Sequence, residues 1–392
     1  MKTFASLALA TVLLLPASAI AQGSLTPLGA PAPTMKTLDQ LDAKLEPRTP
    51  IIALPAVIDA SGSYYLTGNL VEILDQDGIT ISADDVTIDL NGFQLVSLVS
   101  FSHNGITVTG LRRNLCIRNG TISGWGQNGI LADNAWGSQF ENLRISNNGG
   151  YGLRASKCTI KNCTATSNTS GMSVYDAVVR DCTAEINSEA GISATQSSLT
   201  ACVAANNGGH GIVASESSVT NCTTDYNGTD GIRCSGGSVT ACAASHNWSN
   251  GIHLYGSLAD KCHTVFNQVG IYAESESAVS GCSVARSLGN GITAAGNCHI
   301  LSNSCIACGF DSLASGIAGI GGGNRIEGNT VTDTQNSGNG VAVAGGGNLI
   351  IHNSARGNGT NFSGITATDS AGPIVTSATI GTNNNPNANF AF

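Results

Sequence analysis

Seven cysteines, Cys163, Cys182, Cys202, Cys222, Cys242, Cys262 and Cys282, follow one another at steps of 19 or 20 residues. A second column, Asn148, Asn168, Asn187, Asn207, Asn227, Asn247 and Asn267, keeps the same step. Three or four residues after each Asn stands a glycine with an apolar residue: Gly152-Leu153, Gly171-Met172, Gly191-Ile192, Gly211-Ile212, Gly231-Ile232, Gly251-Ile252 and Gly270-Ile271. Looser copies occur at Gly78-Ile79, Gly105-Ile106 and Gly129-Ile130, and later at Gly291-Ile292, Gly316-Ile317, Gly340-Val341 and Gly364-Ile365. Three columns in phase over so long a stretch define a repeat architecture, in which each unit buries its apolar face only by stacking on its neighbours.

A period of this length without a leucine skeleton excludes a leucine-rich repeat. Inside a unit the apolar residues alternate, Ile212 and Ala214, then Val219, which is the pattern of short strands joined by turns. Two or three such strands in 20 residues make one coil of an all-β parallel solenoid, with column residues about 4.8 Å apart along the axis. The Gly-apolar pairs predict about thirteen coils in a single β-helix over residues 51–380, with Ile212, Ala214, Val219 and Cys222 pointing inward. Stacked Asn side chains bond their neighbours' amides and tolerate left-handed turns. Asn91, Asn303, Asn329 and Asn353 occupy the same slot as the cysteines, each three residues after an apolar residue, as Cys222 follows Val219.

Lys2, the apolar run from Phe4 to Pro16 and the Ala19-Ile20-Ala21 site predict a signal peptide over residues 1–21, cleaved after Ala21. That run is too short to span a bilayer, which needs about 20 residues, and no later stretch is apolar enough. The expected location is therefore secreted, periplasmic or at the cell surface. Residues 22–50 carry a capping box, Thr37-x-x-Gln40, with Leu38, Leu41 and Leu45 on one face ahead of Pro47, predicting a short helix over the first coil. The tail, residues 381–392, is expected to cover the other end. With 17 basic against 26 acidic residues and a net charge of −9, nucleic acid is excluded as a partner class.

The repeated Asn-x-x-x-Gly-Ile units resemble those of the right-handed parallel β-helix (pectate-lyase-like) superfamily over roughly residues 36–392. Glu46-Pro47-Arg48-Thr49-Pro50-Ile51, Gly62-Ser63-Tyr64-Tyr65-Leu66 and Asp77-Gly78-Ile79-Thr80-Ile81 are similar to segments of a group of exported bacterial β-helix proteins with no assigned activity. The resemblance implies a right-handed coil. It does not select an activity, because the superfamily includes lyases, hydrolases, epimerases, adhesins and scaffolds.

Parallel Cβ vectors would hold stacked cysteines too far apart for easy disulfides, so a ladder of buried thiols is favoured. Export would permit some disulfides, and an odd total of 13 Cys leaves at least one unpaired. Cys298, His299, Cys305 and Cys308 lack the second close pair of a structural zinc site. Three Met and seven dispersed His do not suit copper. No metal or cofactor is predicted. Glu185 and Asp225 share a column two rungs apart, with Ala205 between them, and Lys157 with Asp176 reads as a cross-rung ion pair. Gly209-His210-Gly211 resembles the Gly-His-Gly of polygalacturonases, but that family's companions are missing: Asp84-Asp85 lies in an early coil and Arg325 is followed by Ile326-Glu327.

Because no face gathers a complete catalytic set, the favoured function is a binding or structural module acting on extracellular polysaccharide or a cell surface. A polysaccharide-active enzyme (lyase, glycoside hydrolase or epimerase) and an adhesin-like assembly component remain open. The candidate ligand-binding residues are His210, Asp230, Arg233, His253 and Tyr255. His210, Asp230 and Asn250 each precede the column glycine, while Arg233 and His253 each follow the column Ile. Tyr255 offers a ring for a sugar face.

Overall fold

A computed structural model describes residues 47–98, 103–310, 314–335 and 337–392; the expected signal peptide and capping helix lie outside them. Arg48–Phe392 forms one compact unit. It is an all-β solenoid in which every regular coil contributes three short strands, exemplified by Ile212–Ser215, Ser218–Thr220 and Thr223–Asp225. All pairings run parallel between successive coils, so Ile212 lies between Ile192 and Ile232. Fifteen strands make the first face. The second and third faces merge into one sheet through the long strands Cys116–Ser123 and Ser138–Ser146, each of which spans both. Among the described residues the one helix is a single 3-10 turn, Ile380–Thr382.

Chain direction changes at three corners per coil, and each corner is built the same way. One residue adopts a left-handed conformation and the next turns inward: Glu216 (φ 49°) before Ser217, Asn221 (φ 53°) before Cys222, Tyr226 (φ 51°) before Asn227. At the third corner Asn207 donates its backbone N–H to Asn227 Oδ1 at 3.2 Å and its side-chain amide to the same oxygen at 3.0 Å. Asn227 in turn donates to Ala204 O and Asn247 Oδ1. Cysteine does this work at the second corner, where Cys202 and Cys222 donate their N–H groups to the next sulfur at 3.4 Å. Cys282 N–H passes to Asn303 Oδ1 at 2.9 Å, and Asn303, Asn329 and Asn353 continue the column. The first corner uses serine, with Ala177, Ser197 and Ser257 donating to the hydroxyl above.

The glycine of each Gly-apolar pair is explained by this column. A Cβ at Gly211 would stand 2.6 Å from Gly231 O and 2.7 Å from Asn227 Nδ2. The following residue is then the core: Ile106, Ile130, Leu153, Met172, Ile192, Ile212, Ile232, Ile252 and Ile271 are each fully buried. Ile212, Ala214, Val219 and Cys222 all point inward as expected.

Fifteen coils replace the expected thirteen. The first rung uses Ala56, paired with Ile79 and preceded by Pro55 instead of glycine. The last uses Phe362, paired with Val341 and preceded by Asn361. Gly364-Ile365, counted as a rung from its sequence, lies just beyond the strand Thr360–Ser363. Asn91 is also displaced: it is exposed and itself takes the left-handed position (φ 56°), while Leu90 is buried beside it. In the tail, the strand Asn389–Ala391 pairs with Ser354–Arg356, and Asn353 N–H reaches Asn389 Oδ1 at 3.0 Å.

All thirteen cysteines are free thiols, twelve of them buried. Burial pushes the Cys305 thiol far up, and pushes Cys158 up to about 12 with Cys163 adding to the effect. Cys182, Cys202, Cys222 and Cys242 are closed off from solvent, so they should resist a thiol reagent in the native protein and react after guanidinium unfolding; rapid native labelling would contradict a buried ladder. Ile232→Asp should abolish soluble folding, because an unpaired buried charge costs several kcal/mol. A soluble variant with the wild-type melting temperature would refute the assigned register.

Candidate functional site

His210, Asp230 and Asn250 stack in successive coils on the turn leading into the first face. Asp230 N–H donates to His210 Nδ1 at 3.3 Å, and Asn250 donates its backbone N–H (3.0 Å) and side-chain amide (2.7 Å) to Asp230 Oδ1. Arg233 and His253 pair directly in register, and Tyr255 stands opposite Ser235 on the same outward side. His253 reaches back to Asp230 Oδ2 through Nδ1 at 3.3 Å and forward to Glu274 Oε1 through Nε2 at 3.0 Å.

Carboxylates at both ring nitrogens need two N–H donors, so His253 is held as an imidazolium. Its pKa is raised, first by the Asp230 hydrogen bond and further by Glu274, against the opposing effect of burial. Burial also works against ionisation of Asp230, which is only 4% exposed, but donors from His253, Ser249 and Asn250 outweigh it and hold the carboxyl well below the usual carboxylate range. His210 behaves oppositely. Its Nδ1 accepts a backbone hydrogen bond, and burial, with the charges of Arg233 and His253, lowers its pKa despite Asp230. The Tyr272 ring meets His253 edge-on at 5.1 Å.

These groups surround an open concavity of about 260 Å³ lined by Arg233, Cys234, Ser235, His253, Tyr255 and Glu274. Three of the five candidate residues, Arg233, His253 and Tyr255, line it. Asp230 lies beneath, supporting His253, and His210 lies beside Asp230. Glu274 and Tyr272 were not anticipated, although they continue the Tyr255 and His253 columns by one rung. Arg233 is exposed and, among the described residues, no carboxylate lies within ion-pairing distance of it.

Acid–base chemistry is poorly served by this arrangement. A general base needs a free lone pair near the working pH, whereas His253 has both nitrogens committed and both nearby carboxylates are bonded to it. Glu185, Ala205 and Asp225 do form one column, but Asp225 accepts from Ser245 at 2.7 Å and lies 3.1 Å from His246 Nδ1. Lys157 pairs with Asp176 at 3.6 Å while lying over the Trp136 ring. Cys298, Cys305 and Cys308 occupy a first corner, a third-face strand and a third corner, each in its own core position. A further surface feature is an outward stack at the third corner, Tyr226 on His246 at 4.6 Å and His246 on Phe266 at 5.2 Å, with Arg286 over Phe266. No described helix is long and apolar enough to cross a membrane.

The family described as "Right handed beta helix region" matches residues 56–201. No curated protein matches the sequence. Among solved structures, the chain is similar to the A-module of the Azotobacter vinelandii mannuronan C-5 epimerase AlgE6, at 15% identity over 84% of this chain and 90% of that one, with a TM-score of 0.43. It is similar to the siphovirus 9NA tailspike receptor binding domain at 10% identity over 84% and 72%, TM-score 0.44. It is similar to pectate lyase Pel9A at 13% identity over 63% and 62%, TM-score 0.30. The matched coils continue in unbroken parallel register from Ala56 to Ser363 on the first face, so the all-β parallel solenoid extends well beyond the residues that the family matches.

Proposed function

We propose that this chain is an exported glycan-binding module, and that the concavity at Arg233, His253 and Tyr255 takes a sugar unit bearing an acidic group. The observation that carries this reading is the unpaired guanidinium of Arg233 beside the half-exposed ring of Tyr255, both fixed on a rigid parallel sheet. A guanidinium fork recognises a carboxylate bidentately, and an exposed tyrosine ring accepts the apolar face of a pyranose. His253 supplies a second positive charge at the floor, paired with Asp230 beneath it and with Glu274 in the wall of the concavity, so part of the cost of desolvating it is already offset in the free protein. Binding is favoured over catalysis because those two carboxylates are spent on His253.

Binding of polygalacturonate, alginate and a neutral glucan to the purified protein tests this. Arg233→Ala should weaken uronate binding at least about tenfold, roughly 1.4 kcal/mol, without lowering the melting temperature, and the neutral glucan should bind weakly to both proteins. Uronate binding should also fall with rising pH. The raised pKa of His253 means that its charge, and the stability it adds, are complete below about 6.5, the ordinary histidine value, and are lost as pH climbs through the elevated value. Equal uronate affinity in wild type and Arg233→Ala, or no binding of any glycan, would overturn the reading.

A further inference from the structure

The Arg–Tyr spacing of Arg233 and Tyr255 occurs twice on the first face, with Ser173 and Thr195 in place of His253 and Glu274 at its second occurrence. Arg154 follows the core residue Leu153 as Arg233 follows Ile232, and Tyr175 lies three residues after Met172 as Tyr255 does after Ile252. In both places the tyrosine stands one coil beyond the arginine and two residues further along the strand. Each pair lines its own concavity, about 260 Å³ at Arg233 and about 200 Å³ at Arg154, where Asp133, Ser156, Ser173 and Thr195 complete the wall. Unlike Arg233, Arg154 is ion-paired, its Nε 3.0 Å from both oxygens of Asp133, and it lies over the Tyr151 ring; the pair engages Nε alone and leaves the terminal N–H groups for a ligand.

The spacing is fixed by register. The arginine column runs Arg154, Ser173, Ser193, Val213, Arg233, and the tyrosine column runs Tyr175, Thr195, Ser215, Ser235, Tyr255. Both cover four rungs, about 19 Å at the interstrand spacing. Between the two pairs these columns hold only Ser, Thr and Val, with no charge and no large ring, so the outward side there is a floor of small, mostly hydroxylated residues.

We infer that the pocket at Arg154 and Tyr175 is a second subsite, and that the two subsites together hold one extended acidic polysaccharide running parallel to the solenoid axis. The inference rests on the reading of Arg233 and Tyr255 as a glycan site and adds its polymeric ligand and direction. Two guanidiniums four rungs apart can each meet one carboxylate of the same polyuronate, in which every sugar carries an acid group. Hydroxyl-bearing side chains along the floor can bond the intervening sugars. Because the sheet is rigid, a ligand reaching both subsites gains from effective concentration, and one too short to reach both gains nothing.

Oligogalacturonates and oligomannuronates from dimer to dodecamer, titrated calorimetrically against the full chain, test this. Affinity should be flat for short oligomers and rise at least about tenfold at the length that spans both subsites. Replacing Arg154→Ala together with Tyr175→Ala should remove the rise while short oligomers still bind at Arg233 with unchanged affinity. Deleting the in-phase coil 194–213 brings the subsites to three rungs and should lower the threshold length; if that deletion does not fold, the double variant decides alone. A smooth length dependence, or a threshold that survives the double variant, would overturn the second subsite while leaving the Arg233 site standing. No uronate binding at any length would overturn both. A threshold seen with oligothymidylate and absent with uronates would overturn the assignment to sugars.

Discussion

The corner amide is the group on which this fold depends. Along each strand, backbone N–H and C=O groups pair between coils without help from side chains. At a corner the left-handed residue turns the chain, and the inward residue after it presents an N–H that no carbonyl of the next coil meets. An unpartnered buried amide costs about 1 to 3 kcal/mol, three times in every coil. In many coils the next one supplies a side-chain acceptor, such as the serine hydroxyl of Ser217, the sulfur of Cys222 or the amide oxygen of Asn227. Since that acceptor sits at the same place in each coil that supplies it, the constraint favours a constant repeat length and keeps the coils in register. It also makes the corners costly for other residues. Even a β-branched side chain, Ile186, is held at φ 56° to satisfy it.

This constraint explains what could be read in the sequence. Columns of Asn and Cys are visible because stacking converts a spatial requirement into a fixed sequence interval, and Gly-Ile pairs are visible because the Asn amide presses on the glycine. The last rung, Asn361-Phe362, was not visible because no coil follows to press on Asn361, as Asn361 O itself presses on Gly340. Asn91 misled because its corner has two extra residues, six steps from Ile88 to Gln94 against four from Ile117 to Thr121, which leaves the buried slot to Leu90. The serine column escaped notice because serine is common throughout the chain and the column breaks at Gly237, where Ser217 O would lie 2.2 Å from any Cβ.

The site was partly legible for a related reason. Arg233, His253 and Tyr255 belong to columns that run straight up the face, so their adjacency follows from counting. The role of Asp230 does not, because His253 meets it on a diagonal, one coil on and three residues along. That diagonal decides the chemistry: it turns an apparent acid–base pair into a clamped imidazolium and leaves Arg233 as the group free to meet a ligand. The repetition of the Arg–Tyr pair at Arg154 and Tyr175 follows from counting too, but only once the outward columns are known to form a continuous surface. A solenoid of this kind is a ruler, and function is written on it as side chains at set rungs.

The most direct test of the corner amide's role is native-state hydrogen exchange in Asn227→Ala. Asn207 loses the acceptor of its backbone N–H, while the strand hydrogen bond from Ile212 N–H to Gly231 O remains. The account predicts that exchange at the Asn207 amide accelerates about a hundredfold, as expected for about 2.7 kcal/mol of lost protection, and by much more than at Ile212. Equal protection of the Asn207 amide in the variant and the wild type would contradict it.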